Sequence, residues 1–166
     1  MIMKTCGSSN LTDKQGGLLG VFTSPVTEED LRQFGSELKY APTIFQNYVD
    51  KKLELRITIA GKQVFTCAIH SQDSPLTKDD WRHYDLERVK HEIYSLPKDV
   101  EQKLLQCMKV WGLQFGAIDM ILTPDDEYVF LEINPSGQWG WIEVLTDMSI
   151  SQGIAQLLHS PGKYSI

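Results

Sequence analysis

The chain has 166 residues, 42% of them apolar and 23% charged, with a formal net charge of -6. That length and apolar content suit one compact domain with a real core and argue against wholesale disorder. The acidic balance argues against a nucleic-acid backbone as the main partner, because such binders carry a basic face, though a local basic pocket for a phosphorylated small molecule remains compatible with it.

Met1 to Thr5 is too short to stand as a strand by itself, and Gly7 to Gly17 reads as a polar, Gly-containing loop. Leu18 to Thr23 reads as a short apolar strand ending at Ser24 and Pro25. Thr27 can cap a helix whose first turn is acidic, running to about Leu38. Thr43 to Val49 is β-like. Leu53 to Ala60 alternates apolar residues with Glu54, Arg56 and Thr58, the pattern of a half-buried strand. Gly61 and Lys62 form a tight turn to the returning strand, Gln63 to His70. Ser71 to Asp80 reads as a polar loop, and Val89 to Leu96 as a further strand. Pro97 opens a helix to about Trp111, ended by Gly112. Phe115 to Leu122 and Tyr128 to Ile133 are strands around the turn 124–127. A Gly-rich loop leads to a last helix, Ile150 to Leu158, stopped by Pro161. Hairpins rather than βαβ units connect the strands, so the fold class is α+β.

Three widely spaced cysteines, Cys6, Cys67 and Cys107, and four histidines without zinc-like spacing point to reduced thiols in a cytoplasmic protein. Neither a secretory signal nor an apolar run of membrane-spanning length is visible.

The last hairpin carries the chemistry. With its turn centred between Asp125 and Asp126, Asp119 faces Glu132, and Asn134 shares that side two residues on. Two facing carboxylates in apolar surroundings repel, at about 1 kcal/mol even on a solvated sheet. A cation between them removes the conflict. Oxygen-only donors suit Mg²⁺, with Mn²⁺ as an alternative. A surface hairpin with an ordinary arginine partner is the competing account of the same residues.

The segments 116–122 and 129–135 resemble the metal-binding end of ATP-grasp ligases. The run Asn134 to Trp139, the block Pro42 to Ile57 and Asp80 to Arg82 narrow the likeness to ATP-grasp peptide maturases of the microviridin (MvdD-like) type. These are related to ribosomal protein S6 glutamate ligase and glutathione synthetase. The likeness covers about Lys4 to Leu158. It implies that Asp119, Glu132 and Asn134 bind Mg²⁺, and that Gln46, Asn47, Tyr48 and Val49 form the hinge that holds adenine through backbone groups. It further implies a ribose contact at Asp50 and a phosphate-side lysine at Lys4, ahead of a Gly-rich loop over the phosphates. Arg56 matches the arginine that faces the phosphates or an acyl phosphate, and Arg82 is a second candidate for that pocket or for peptide binding. Trp139 and Trp141 read as packing residues first.

Such ligases activate a carboxylate with ATP as an acyl phosphate, which a hydroxyl or amine then displaces. In the microviridin type both groups belong to a precursor peptide. Measured against the family, residues 1–166 lack the amino-terminal pre-grasp domain and the first ATP-binding lysine. That implies apolar surface left for the missing half or for a homo-oligomer to cover. A peptide ligase, a ligase for a free amino acid or small peptide, and a non-catalytic nucleotide- or partner-binding remnant all remain open at this point.

Overall fold

The computed structural model describes residues 1–6, 10–12 and 14–166. Its amino-terminal part contains β1 (Ile2–Thr5), β2 (Asn10–Thr12), β3 (Leu18–Gly20) and β4 (Ser24–Pro25), followed by α1 (Glu28–Phe34) and β5 (Thr43–Gln46). Short as it is, β1 holds its place because both neighbours pair with it, giving a small antiparallel sheet in the order β4-β1-β5. Part of the segment expected to be loop is a strand, since β2 pairs with β3. Gly7 to Ser9 and Asp13 of that segment lie outside the described residues. Thr27 caps α1 reciprocally with Asp30. The α-helix stops at Phe34 and continues to Tyr40 only as a 3-10 turn, where Gly35 and Ser36 weaken helix formation.

The larger part holds β6 (Leu53–Ala60), β7 (Gln63–Ile69), β8 (His91–Ile93), α2 (Lys98–Val110), β9 (Phe115–Leu122), β10 (Tyr128–Asn134), α3 (Gly140–Thr146), α4 (Ile150–His159) and α5 (Pro161–Tyr164). Its sheet runs β10-β9-β6-β7-β8, antiparallel throughout. One face presents Leu55, Ile57 and Ile59 with Ile118, Met120 and Leu122, and buries them against Val100, Leu104 and Met108 of α2. The opposite face carries a second cluster, Cys67, Ile69, Ile142, Met148 and Ile150, packed with Trp139 and Trp141.

The expectation of a half-buried β6 is corrected here. As the central strand it is covered on both sides, and Glu54, Arg56 and Thr58 are 7%, 7% and 0% exposed. The alternation separates an apolar core from a buried polar row, not a core from solvent. Two helices escaped the sequence reading. α3 follows a Gly-rich stretch that reads as loop, and Pro161 opens one more turn instead of only ending α4. The strand expected at 89–96 is confined to 91–93.

The chain's last residues clamp the sheet. Lys62 N–H donates to the Tyr164 carbonyl at 2.8 Å, and Gly61 has φ 58. A Cβ on Gly61 would lie 2.0 Å from that same carbonyl oxygen. Gly61→Ala is therefore expected to lower stability by about 2 kcal/mol, read from the denaturant midpoint. An unchanged midpoint would contradict this close approach.

Candidate functional site

A cleft of about 740 Å³ opens between the small sheet and the second face of the large one. Its lining includes Lys4 of β1, Gln46 at the end of β5, the connecting residues Asn47, Tyr48 and Val49, and Arg56, Arg82, Asp119, Glu132 and Asn134. Of the residues given a binding or catalytic role in the sequence, Asp50 alone stays outside that lining, with an exposed side chain. The cleft's charged groups are nearly balanced: Lys4, Lys51, Arg56 and Arg82 against Glu54, Asp79, Asp80, Asp119 and Glu132.

The hairpin brings Asp119 opposite Glu132, by a route the turn does not foretell. From Tyr128↔Leu122 to Phe130↔Met120 the register is centred on Asp125, one half-step from the expected centre. A bulge between Phe130 and Glu132 then absorbs one residue, giving Glu132↔Asp119 and Asn134↔Ala117. The turn itself is set by Asp126 at φ 62 and by Glu127 N–H donating to Thr123 Oγ1 at 3.0 Å. Without the bulge Leu131 would face Asp119, and Glu132 would point to the other side. The Asn134 Oδ1 accepts from Ser136 N–H at 2.8 Å, which orients the amide.

Arg56 is the direct neighbour of Asp119 on β6. Its Nη1 donates to both carboxylate oxygens at 2.9 Å, and its Nη2 to the Gln138 carbonyl at 3.0 Å. The two side chains are 9% and 19% exposed. Among the described residues the buried Arg56 Nε and Thr58 Oγ1 have no hydrogen-bond partner. Gly137 lets the 135–139 strap lie this close, since a Cβ there would be 2.4 Å from Ala117 Cβ and 3.1 Å from Arg56 Nη2. Burial raises the Asp119 carboxyl above its ordinary range. Arg56 opposes that shift without cancelling it, and the nearby Glu132 adds to it.

Asp80, 4% exposed, joins the two sides of the cleft. One oxygen accepts from Arg82 Nε at 2.8 Å and from the Arg82 N–H at 3.1 Å. The other accepts from the Thr23 N–H at 2.9 Å and from Arg82 Nη2. Phe22 packs against His83 at a tilt of 33°, with ring centroids 3.8 Å apart, at the same junction. Burial pushes the Asp80 carboxyl up, yet the bonds from Arg82 and Thr23 outweigh it and hold the group below 3.8. A lowered folded value means a stabilising contribution that is complete above the unfolded value and is lost as pH falls through the folded one. Asp80→Asn is expected to flatten the loss of stability below pH 3.8, measured by denaturation at a series of pH values. An acid limb as steep as that of the wild type would refute this.

Lys51, Glu54 and Asp80 were given no role of their own in the sequence. Lys51 Nζ donates to Glu54 Oε1 at 3.0 Å and to the Asp79 carbonyl at 2.8 Å, and Tyr48 Oη to Asp79 Oδ1 at 3.2 Å. The two-residue step from Arg56 was the available signal for Glu54, because it places both on one face. Trp139 and Trp141 pack in the second core cluster as expected, and Trp141 stacks on Trp81 at 5.0 Å.

Two carboxylates and an amide oxygen on one face form a hard-oxygen donor set of the kind Mg²⁺ takes. Among the described residues no three His, Cys, Asp or Glu side chains gather as a metal site, so Asn134 is needed for a third protein ligand. All three cysteines are free, and no helix among the described residues is long and apolar enough to cross a membrane.

A family described as the RimK-like ATP-grasp domain matches residues 10–158. The macrocyclase MdnC of Microcystis aeruginosa MRC, solved with its precursor peptide MdnA, is 42% identical, with a TM-score of 0.80, over 96% of this chain and 47% of its own. A RiPP-associated ATP-grasp ligase of Chryseobacterium gregarium, solved with ADP and a leader and core peptide, is 36% identical, with a TM-score of 0.86, over 96% of this chain and 48% of its own. The ATP-grasp ligase PsnB, solved with minimal precursor, Mg and ADP, is 21% identical, with a TM-score of 0.68, over 93% of this chain and 46% of its own; it attests the fold alone. The chain therefore spans about half the length of the ligases it matches. No curated protein matches it.

Proposed function

Because this chain belongs to the RimK-like ATP-grasp family, we propose that its cleft holds ATP with a divalent cation and serves the ligation of a peptide side-chain carboxylate to a hydroxyl or amine. The observation that carries this reading is the convergence of the hinge residues, Lys4, Arg56, Arg82, Asp119, Glu132 and Asn134 on one cleft. Peptide specificity is supported by two relatives above 30% identity that were solved with peptide.

In this reading the backbone from Gln46 to Val49 pairs with the adenine edge, and Lys4 and Arg56 bind phosphate oxygens. Asp119, Glu132 and Asn134 hold Mg²⁺, and Mn²⁺ would suit the same oxygens. The all-oxygen donor set, two carboxylates and an amide oxygen, supports the fit. When bound, the cation neutralises phosphate charge as the terminal phosphoryl group is transferred. Arg82, fixed by Asp80, orients the substrate carboxylate. One carboxylate oxygen bonds to the γ-phosphorus as ADP departs; the hydroxyl or amine then attacks the acyl carbon, the bond to the phosphate oxygen breaks, and inorganic phosphate leaves as the nucleophile gives up a proton. The protein's part is positioning and charge neutralisation. Asp50 is exposed and lies at the cleft's margin, between the lining residues Val49 and Lys51. Turnover is proposed to require the portion of the ligase that the relatives carry beyond the matched half, or a second copy of this chain.

Calorimetry with Mg·ATP tests the reading. Binding is expected in the wild type, and loss of about tenfold or more in affinity in Glu132→Gln. Absence of binding, or binding indifferent to that change, would leave a non-catalytic remnant. Phosphate release stimulated by a carboxylate-rich peptide is expected; stimulation by free glutamate instead would shift the reading to a ligase for free amino acids.

A further inference from the structure

Arg56 does more at this site than wait for phosphate: both oxygens of Asp119 are already taken by its Nη1 at 2.9 Å. Each oxygen keeps a lone pair for a metal, but the guanidinium beside the carboxylate offsets its charge and so weakens its pull on a free cation. The guanidinium in turn cannot simply withdraw, because it is 9% exposed and would leave a buried charge without a partner. Phosphate oxygens resolve both difficulties together, since they offer Arg56 another anion at the moment the cation claims Asp119. The charge balance of the cleft points the same way. Its side chains nearly cancel, so a free dication and a free polyphosphate both lack a strong attraction, whereas their complex needs no separate compensation.

We propose that Arg56 is an internal stand-in for the cation, so that the site refuses free divalent ions and accepts them only together with a polyphosphate nucleotide. This rests on the metal and nucleotide roles given above and adds an order to them. The unpartnered Arg56 Nε fits the scheme, because a guanidinium with an unused buried donor has a bond to gain by turning toward a new acceptor. Cation and nucleotide then strengthen one another's binding by the same factor, and Arg56 is the residue that couples them.

Free-ion binding decides it, with electron paramagnetic resonance counting unbound Mn²⁺ over the folded protein and thermal melts confirming the fold. The wild type is expected to bind Mn²⁺ alone at least about tenfold more weakly than it binds Mn·ATP, and Arg56→Met to bind Mn²⁺ alone about tenfold or more tightly than the wild type. Removing the same charge at Arg82 is the control. That guanidinium is engaged by Asp80 and donates to neither Asp119 nor Glu132, so Arg82→Gln is expected to gain much less. The gain at Arg56 must also vanish when Asp119→Asn is added. Equal gains at Arg56 and Arg82 would reduce the effect to general electrostatics and overturn the proposal. Free Mn²⁺ bound by the wild type as tightly as Mn·ATP overturns it without any variant. If Arg56→Met does not fold, Arg56→Gln gives the same comparison. A wild type that binds no Mg·ATP would sink the functional reading, while the Arg56 comparison with free Mn²⁺ would still be decided on its own.

Discussion

Asp119→Ala is expected to lower the unfolding free energy by about 3 kcal/mol or more and to remove cation-dependent ATP binding in the same stroke. The stability loss arises because Arg56 is left buried: its Nη1 loses both bonds, its Nε already has no partner, and only the Gln138 carbonyl remains. Removing one member of a buried pair costs far more than the pair is worth, for the surviving charge keeps its desolvation penalty. Glu132 is the useful contrast. It is exposed, so Glu132→Gln is expected to leave the denaturation midpoint within about 0.5 kcal/mol of wild type while still losing the ion. Denaturation curves beside calorimetry separate the two effects. An Asp119→Ala protein as stable as the wild type would refute the buried pair.

Gly137→Ala is expected to be the most damaging single methyl group in the site. Its Cβ would stand 2.4 Å from that of Ala117, on the central part of the sheet, and 3.2 Å from the Asn134 carbonyl. Neither neighbour is the end of a flexible chain, so the strap itself must lift. Lifting it breaks the bond from Arg56 Nη2 to the Gln138 carbonyl and disturbs the Ser136 N–H that aims Asn134. Overpacking of this kind costs about 1–3 kcal/mol, and nucleotide affinity is expected to fall about tenfold or more in titrations with Mg·ATP. Retained affinity with lowered stability would show that the strap repacks without moving its ligands.

The strands that build the site were readable, Leu53–Ala60 from its strict alternation and Phe115–Leu122 from its long apolar run before a turn, and both have the expected bounds. Pairing of Asp119 with Glu132 was readable too, but through two half-steps that cancel. A turn centred on Asp125 and a bulge at Leu131 together restore the register expected from a simpler turn. No local pattern in Phe130-Leu-Glu132 announces a bulge, so that correction is visible only in three dimensions. Burial of Arg56 was equally hidden. Which strand is central depends on pairing partners sixty residues away, and a charged residue on an alternating strand looks solvated until both neighbours are known. α3 was lost to the glycines around it, since its stability comes from docking Ile142 into the second core cluster and not from its own propensity.

The bulge has a bearing on solubility as well. β10 is the outer strand of the large sheet, and an outer strand rich in Val, Phe, Leu and Ile is a ready template for another copy to extend. A regular row of free amides and carbonyls is what such growth requires. The residue absorbed at Leu131 interrupts that row halfway along and twists the strand, and the opposite border, β8, is only three residues long. The irregularity that aligns Asp119 with Glu132 is therefore also expected to hinder edge-to-edge pairing between copies.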